Sequence, residues 1–527
     1  MASVSQHRAL NSPAERARLR ALTVAFFLVA SLPVIASCSA NRTRPSPGET
    51  TADVQWLSRV AYSIDSDTLA RYRQLGRAGY LDEQLRHDEP TLPAPVAAAL
   101  NGSDIGHADV AELLASVQAE HKRINALTDA SEREQARRAL NDAGNRLANE
   151  AKSRDILRAL YSRGQLREQM VWFWLNHFNV YEHKAAIRWT IADYEEHAIR
   201  PYVFGHFRDL VLATLTHPAM LQYLDNAQNA AGHVNENYAR ELMELHTLGV
   251  GTGYTQQDVQ ELARVLTGAG INAGGPSPRL RREWIALYRR QGAFEFNPAR
   301  HDFGPKVLLG QPIRSQGFPE IEEAVTRLTR TPACANLVAR KLAIYFVSDE
   351  PPPSLVARMA ATFQRTDGDI EQVLRTLFAA PEFTASLGQK FRDPVHFVYG
   401  TLRLAYDGRQ ITNTRPVVNW LNALGEPLYG HQTPDGYALT ESAWASSGQM
   451  SRRFEIARAI GAGHAPLFEP EGGGTPPGTG FPKLASRLYY DELEPLLSAQ
   501  TRATLDKAAS QQEWNTLLLA SPELNYR

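Results

Sequence analysis

Cysteine is scarce in this chain, and its scarcity restricts how the fold can be stabilised. Cys38 and Cys334 are the only two among 527 residues. Cys38 belongs to an export segment described below, which leaves Cys334 without a partner for an intramolecular disulfide. No histidine is near Cys334 in sequence, so we interpret it as a small buried helix residue rather than a nucleophile. Stability must therefore come from a packed core.

An excess of charge of either sign is also lacking. The chain has 56 lysines and arginines against 57 aspartates and glutamates, for a formal net charge of −1. In the highly charged segment 108–161, acidic and basic residues are interleaved, which is typical of a solvated helix face. Nothing in this balance favours nucleic acid as a partner, and we predict that none is bound.

Familiar catalytic motifs are missing as well. No nucleophile elbow, phosphate-binding loop, HExxH zinc-protease motif or dinucleotide fingerprint occurs in the context that it requires. The enzyme classes that depend on these motifs are therefore excluded, and no reaction can be assigned by motif. The chain is nevertheless 43% apolar and long enough to bury a substantial core.

The amino terminus contains an apolar run that is too short for a comfortable membrane span. Basic residues precede the run, which extends from Ala21 to Ile35 and ends in Ile35-Ala36-Ser37-Cys38. That tetrapeptide resembles the bacterial lipobox. By this resemblance, residues 1–37 are a cleaved signal peptide and Cys38 is the lipidated first residue, labelled by palmitate. An uncleaved signal anchor is the less favoured alternative, because Pro33 interrupts the run.

The residues after Cys38 indicate where the mature protein is held. Residues 38–53 are rich in Ser, Arg, Pro and Gly, which is typical of a flexible tether. We expect a lipoprotein anchored to a membrane and facing the periplasm, with the membrane as its partner through the lipid on Cys38. Ser39 favours the outer membrane over the inner one.

Helical spacing of apolar residues recurs along the rest of the chain, from Val54 to Leu519, while sustained two-residue alternation is scarce. The sequence therefore predicts an all-α fold: a large, bundle-like assembly of many helices with long loops and little or no strand. We assign residues 54–527 to this helical domain. Ordinary domain sizes allow its division into subdomains near 54–165, 166–310 and 311–527.

One segment, from His233 to Gly268, has apolar residues at the spacing of a buried helix but is unusually rich in ionisable and amide side chains. Asn235 is predicted to cap a helix that ends near Gly249. Four polar residues then share one face of that helix, at positions i, i+3, i+4 and i+7: Asn237, Arg240, Glu241 and Glu244. His246 follows two residues later.

A second segment, residues 166–180, combines dense aromatics with polar groups. Aromatics at this density usually indicate core packing. Glu168, Asn176 and His177 accompany them, and a buried carboxylate or imidazole is costly unless it is paired. A structural role for His177 is slightly favoured over a functional one.

A third segment, residues 295–310, places charged groups between two prolines. His301 and Asp302 lie next to Lys306 in a predicted loop. Loops on a rigid scaffold often carry binding groups. An Asp turn with a surface histidine explains the same residues equally well.

Several long phrases in the same order resemble a large bacterial family catalogued as domain of unknown function 1800. They include LREQMVWFWLNHFNV, NENYARELMELHTLGVGTGYTQQDVQELARVLTG, HDFGPKVLLG, ARKLAIYFV and TPDGYALTESAW, and the resemblance covers Trp56 to the carboxyl end. It implies a helical fold, export, and a partner from another exported family, domain of unknown function 1501, whose genes are often adjacent. It implies no reaction.

Two functional hypotheses follow from these segments. In the first, the protein is an envelope enzyme that uses acid–base or metal-assisted chemistry. The sequence assigns no cofactor to it, and a divalent metal ion is one of the cofactors compatible with these residues. The residues predicted to be catalytic are Glu241, Glu244, His177, His301 and Asp302. The residues predicted to bind ligand are Asn176, Asn235, Asn237, Arg240, His246 and Lys306.

The alternative is a non-catalytic scaffold or partner-binding protein. In it, Glu236 pairs with Arg240 and the amides only cap helix ends. Geometry distinguishes the two hypotheses. Convergence of Glu241 with His177 and His301 in an open cleft favours a functional site, whereas closed and fully paired networks favour a scaffold.

Overall fold

The computed structural model describes residues 47–106, 109–469 and 480–527. The predicted signal peptide, Cys38 and the first part of the predicted tether lie outside the described residues. Residues Ser46–Arg527 form one compact unit. Within the described ranges, no helix combines the length and the apolar character needed to cross a membrane.

Helix accounts for 62% of the described residues and strand for 4%, which confirms the predicted all-α class. The first half of the chain contains helices α1 (Pro47–Val60), α2 (Ser66–Gln84), α3 (Ala94–Asn101), α4 (Val110–Ala126), α5 (Ala130–Tyr161), α6 (Gln165–His177), α7 (Ile187–Asp193), α8 (Phe207–Leu215), α9 (Pro218–Tyr223), α10 (Asn237–Glu241) and α11 (Gln256–Val265). The second half contains α12 (Phe318–Thr329), α13 (Pro332–Phe346), α14 (Pro353–Arg365), α15 (Ile370–Phe378), α16 (Pro381–Ala385), α17 (Pro394–Tyr406), α18 (Arg415–Ala423), α19 (Ser447–Gly461), α20 (Ala499–Leu505) and α21 (Gln511–Leu519).

Shorter elements connect these helices. Short 3₁₀ turns occur at Asp104–Gly106, Arg200–Tyr202, Asn226–Gln228, Arg282–Leu287, Pro298–Arg300, Glu441–Ala443, Glu494–Leu496 and Pro522–Asn525. The strands are β1 (Ala269–Ile271), β2 (Arg289–Gln291), β3 (Phe294–Phe296), β4 (Val307–Leu308) and β5 (Gln311–Pro312). They form an antiparallel sheet of order β1-β3-β2 and a separate β4-β5 ribbon. All are two or three residues long, so strand plays a minor part, as predicted.

Helix α6 explains the density of aromatics in residues 166–180. Every residue of α6 is buried, the polar ones included, so the helix lies inside the core and its aromatic residues pack there. Its charged residue Glu168 accepts two hydrogen bonds from Arg200, at 2.9 and 3.1 Å, and Arg200 also donates to Glu195 at 3.2 Å. The buried carboxylate is thus compensated within the core and has a structural role.

Besides a small cluster of Leu114, Ala273 and Ala293, one large and continuous hydrophobic cluster runs through the described domain. It includes buried residues from Val54 in α1 to Leu519 in α21, and residues of all three predicted subdomains contribute to it. Helix α1 begins at Pro47, inside the segment predicted as a tether. The helical domain therefore extends seven residues before Val54, since its first helix covers residues 47–60.

The predicted helix between Asn235 and Gly249 is not regular. Helix α10 covers only Asn237–Glu241, and the next residues, Leu242–Thr247, form a π-helical segment. The Leu248 amide donates to the Met243 carbonyl at 2.7 Å, five residues back, and the Thr247 hydroxyl donates to the Leu242 carbonyl at 2.6 Å. This wider turn changes the direction of the side chains after Glu241. π-helical turns are frequent at functional sites.

Candidate functional site

His177 lies at the carboxyl end of α6 and is 3% exposed. Its Nδ1 lies 3.1 Å from the Lys341 ammonium and its Nε2 lies 3.0 Å from the His246 carbonyl. Because an ammonium can only donate, Nδ1 accepts and Nε2 carries the proton. Burial, followed by the charge of Lys341, lowers the pKa of His177 well below its usual value. The imidazole is therefore neutral, with one defined tautomer.

Lys341 supplies the cation of this pair, and it has no carboxylate partner. No described Asp or Glu side chain forms an ion pair with it within 4 Å, and burial lowers its pKa to about 8. The negative charge of Asp435 acts in the opposite direction. Such an amine exchanges its proton near neutral pH, as general acids and bases require.

His246 lies beside this pair, in the π-helical segment 242–247. The side chain is 1% exposed, and neither ring nitrogen has a hydrogen-bond partner among the described residues. The ring centroid lies 5.9 Å from that of His177 and 5.0 Å from that of Phe178. Burial, then the charge of Lys341, lowers the pKa of His246 to about 3. A neutral imidazole has one N–H donor and one acceptor nitrogen, and the described residues leave both free to hydrogen-bond to a ligand or to water.

Glu241 and Glu244 stand at the partly exposed side of the same segment. The Glu241 carboxylate forms no hydrogen bond or ion pair with a described residue. Its pKa is raised, first by burial and then by the negative charges of Glu244 and Asp435. Arg240 only partly offsets these effects. Glu241 is therefore more easily protonated than an exposed glutamate.

The loop 431–437 covers the end of α6 and brings Asp435 to the cluster. The Asn176 amide donates to the Tyr437 carbonyl at 2.9 Å, and its Oδ1 accepts from the Tyr437 amide at 2.6 Å. Asn179 donates to the carbonyls of His431 and Thr433 at 3.0 and 2.8 Å. Asn176, predicted to bind ligand, thus positions this loop through its backbone. We call His177, His246, Lys341, Glu241, Glu244 and Asp435 the His177 cluster.

Three predicted ligand residues on α10 and before it form local structural contacts. The Asn235 Oδ1 accepts from the Asn237 amide at 2.9 Å, and the Asn237 side chain donates to the Leu224 carbonyl at 3.2 Å. Arg240 pairs with Glu236 at 3.2 Å and donates to Gln256 at 2.8 Å. This pairing of Arg240 is the one that the scaffold hypothesis expects.

His301, Asp302 and Lys306 form a second, separate network. The carboxylate of Glu320, in α12, lies 3.0 Å from His301 Nε2 and 2.7 Å from the Lys306 ammonium. Burial alone would raise the pKa of Glu320, but the hydrogen bonds from His301 and Lys306 lower it overall. A hydrogen bond from Arg264 is the main reason that the pKa of Asp302 falls to about 2.

The structure does not bring His301 into contact with His177. The described ring and hydrogen-bond partners of His301 are Thr267, Phe296, Phe303 and Glu320. None of them is a partner of His177. Of the eleven predicted site residues, the His177 cluster therefore includes Glu241, Glu244, His177 and His246. The His301 network is closed and paired, and it fastens the loop 301–306 to α12.

Sequence reasoning missed Lys341 and Asp435. Lys341 falls at i+3 from Val338, beside Leu342 and four residues before Tyr345, on the buried face of α13. A lysine on an apolar stripe is a signal that could have found it. Asp435 lies in a Pro-Asp-Gly sequence that indicates only a turn, and its proximity to α6 is a long-range contact that spacing does not predict.

Among the described residues, no group of three or more His, Cys, Asp or Glu side chains is arranged to hold a metal ion. Fold and cluster together define a predominantly helical protein in which a buried histidine is hydrogen-bonded to a largely buried lysine, beside partly exposed carboxylates. The chain belongs to the family described as protein of unknown function (DUF1800), whose model matches residues 55–526. No curated protein and no solved structure matches the chain.

Proposed function

We propose that the protein is a lipoprotein of the bacterial cell envelope whose helical domain binds a small ligand at the His177 cluster and transfers protons to or from it. The observation that carries this proposal is the Lys341–His177 hydrogen bond of 3.1 Å, made by a lysine with no carboxylate partner within 4 Å among the described residues. A largely buried cation without an anion beside it is costly, and proton exchange with a ligand is a role that such a group can perform.

The groups around Lys341 are suited to complementary roles. Lys341, with a pKa of about 8, acts as the proton acceptor or donor, and neutral His177 orients its amine. Glu241, with a raised pKa, supplies a second proton-exchanging group at the partly exposed side. The unused ring nitrogens of His246 receive polar atoms of the ligand. This arrangement needs no covalent intermediate.

The test uses two lysines with opposite roles. In a thermal-shift screen of envelope-derived small molecules against the full chain, Lys341→Met and Glu241→Gln are expected to lose at least tenfold in affinity for a hit. The ligand-free unfolding midpoint of Glu241→Gln should change little, and that of Lys341→Met should hold or rise, because the variant removes an unpaired charge. Lys306→Met removes a lysine of the closed network, so it should lower the midpoint and leave affinity unchanged. If no compound binds, or if Lys341→Met binds like the parent, the enzyme proposal fails.

A scaffold function is the second candidate, and two observations favour it. The Arg240–Glu236 pair and the closed His301–Glu320–Lys306 network are typical of residues that fix helix positions. We propose that an exported protein of the unknown function 1501 family is then the partner. Co-purification of the two proteins from detergent-solubilised membranes tests this, with Glu241→Gln expected to leave the association intact.

A further inference from the structure

Arg392 is a buried arginine that forms no ion pair within the described residues. It precedes α17 and is 3% exposed. Its side chain donates no hydrogen bond to any described residue, and no described carboxylate pairs with it within 4 Å; its Nε is among the fully buried atoms that lack a partner. Guanidinium groups in a protein interior are otherwise paired, because an isolated buried charge is costly.

The residues around Arg392 add positive charge. Arg527 donates to the Gln169 side chain and to the Tyr345 carbonyl, both at 2.9 Å. Arg453 donates to the Asn525 side chain at 3.1 Å and to the Arg392 carbonyl at 2.7 Å. All these acceptors are neutral, so the hydrogen bonds do not cancel the charges of the arginines.

Two carboxylates lie close by, and neither satisfies Arg392. Asp393 is bonded to the His396 ring at 2.8 Å. Glu426 accepts from the Val395 amide at 2.9 Å, and burial raises its pKa well above the usual value, which favours its neutral form. Burial, followed by repulsion from Arg527 and Arg453, lowers the pKa of Arg392 to about 9, although the charge of Asp393 acts in the opposite direction. Arg392 is therefore still charged at pH 7.

Arg392 also lines a cavity of about 300 Å³. Its walls include the aliphatic side chains of Leu493, Leu496, Leu497 and Leu524. The other lining residues are Gln55, Ser58, Ser63, Gly388, Pro522, Glu523, Tyr526 and Arg527. The Glu523 carboxylate accepts from the Ser498 amide at 2.8 Å and from the Thr501 hydroxyl at 2.9 Å. A water molecule occupies about 30 Å³ of liquid, so the cavity holds on the order of ten non-hydrogen atoms. The cavity thus combines a group of four leucines with a buried arginine that forms no ion pair among the described residues.

We propose that this cavity binds a small amphipathic carboxylate, with its carboxylate group paired to the Arg392 guanidinium and its aliphatic chain lying among Leu493, Leu496 and Leu497. A carboxylate matches the fork of donors on a guanidinium. Contact with the leucines buries the apolar surface of the ligand and favours binding, and the cavity volume admits a chain of up to about eight carbons. The site is separate from the His177 cluster, and nothing in it depends on the proposed acid–base function.

The experiment titrates octanoate into the full chain at pH 7, by calorimetry and by thermal shift. Octanoate is expected to bind and to raise the unfolding midpoint. Octanol lacks the charge and acetate lacks the chain, so each should bind at least tenfold more weakly. No binding of octanoate at millimolar concentration, or equal binding of octanol, acetate or inorganic phosphate, would overturn the proposal.

Variants locate the site. Arg392→Met removes an unpaired charge, so the ligand-free midpoint should hold or rise while octanoate affinity falls at least tenfold. Should that variant fail to fold, Leu496 provides a second test, because it is only partly buried at the cavity wall. Leu496→Glu brings a carboxylate to the cavity, where it competes with octanoate for Arg392, and should abolish octanoate binding. Leu496→Gln introduces a side chain of the same shape as Glu but without its charge, and should retain most of the binding. Equal loss in both variants contradicts pairing with Arg392.

Discussion

Lys341 and Lys306 are both largely buried, but only Lys306 has a carboxylate that compensates its charge. Lys306 has the Glu320 carboxylate at 2.7 Å, so its charge is compensated. Lys341 has the neutral His177 ring at 3.1 Å, so its charge is not. A hydrogen bond to a neutral acceptor satisfies a donor without offsetting the cost of removing the charge from water. Identical side chains therefore have a structural role in one network and a candidate functional role in the other.

The lowered pKa of Lys341 predicts a pH dependence of stability. In the folded chain the pKa falls from 10.5 to about 8, so between these pH values the unfolded chain binds more protons and the free energy of unfolding rises with pH. Relative to Lys341→Met, the wild type should gain on the order of 3 kcal/mol across this window, at about 1.4 kcal/mol per pKa unit. Denaturant unfolding from pH 7 to 11 measures it, with exposed Lys122→Met as control. Parallel curves for wild type and Lys341→Met would contradict the lowered pKa.

The Glu320 network predicts a large loss of stability from a small change. Glu320→Gln keeps the shape of the side chain but leaves the Lys306 ammonium buried without a carboxylate, which costs about 3–5 kcal/mol. Glu322, on the same helix, pairs with Arg289 at 3.5 Å through side chains that are 45% and 49% exposed. Glu322→Gln should therefore cost less than about 1 kcal/mol. Similar urea midpoints for the two variants would show that the His301 network contributes little.

At the scale of elements, the local signals in the sequence were reliable. Thr255 and Asp258 have the sequence spacing of a weakened capping box, and the structure contains that box, with the Asp258 amide donating to the Thr255 hydroxyl at 3.2 Å. Asp369, whose sequence context indicates a cap and not a calcium ligand, accepts from the Gln372 amide at 3.0 Å. Both features depend on residues a few positions apart. Caps of this kind are encoded locally, and so the sequence predicts them well.

The π-helical segment 242–247 could not be predicted from local sequence patterns. Regular helical spacing puts Glu241 and Glu244 on one face with Asn237, but the added residue in the turn redirects His246 toward His177. Apolar periodicity does not distinguish a π-turn from an α-turn over six residues. The sequence predicted four members of this cluster because they are polar residues among positions with buried-helix spacing: His177, His246, Glu241 and Glu244. Their actual partners came from α13 and the loop 431–437.

Gly436 is the residue that allows this loop to lie against α6. It has a φ of +74°, and a Cβ atom at this position would lie 2.1 Å from the Asn176 carbonyl oxygen. Gly408 has a similar φ of +79°, but a Cβ atom there would have no neighbouring atom within 4 Å. Gly408→Ala should therefore cost only the backbone strain of about 1 kcal/mol. Gly436→Ala should cost about 2–4 kcal/mol, because the loop must also move away. Equal unfolding free energies would mean that the loop is not held against α6.

At the scale of the whole molecule, one continuous core places residues from distant parts of the chain in a fixed arrangement. The His177 cluster takes groups from α6, the segment 242–247, α13 and the loop 431–437, which are separated by up to 258 positions between His177 and Asp435 in the numbering. Sequence periodicity predicted that the helices exist, but not which of them are neighbours. That is why His301 was grouped with His177 although the fold places it in another network.

The sequence that precedes the helical domain predicts how the protein is anchored. The lipobox-like Ile35-Ala36-Ser37-Cys38 precedes the compact unit, so Cys38→Ala should abolish palmitate labelling and release or misprocess the protein without changing its far-ultraviolet circular dichroism. Cys334 is the matched control, because it is fully buried in α13 and burial raises its pKa far above that of an exposed thiol. Cys334→Ala should therefore label and fractionate like the parent. If Cys38→Ala does so too, the apolar run 21–35 acts as an uncleaved anchor and the lipoprotein proposal is wrong.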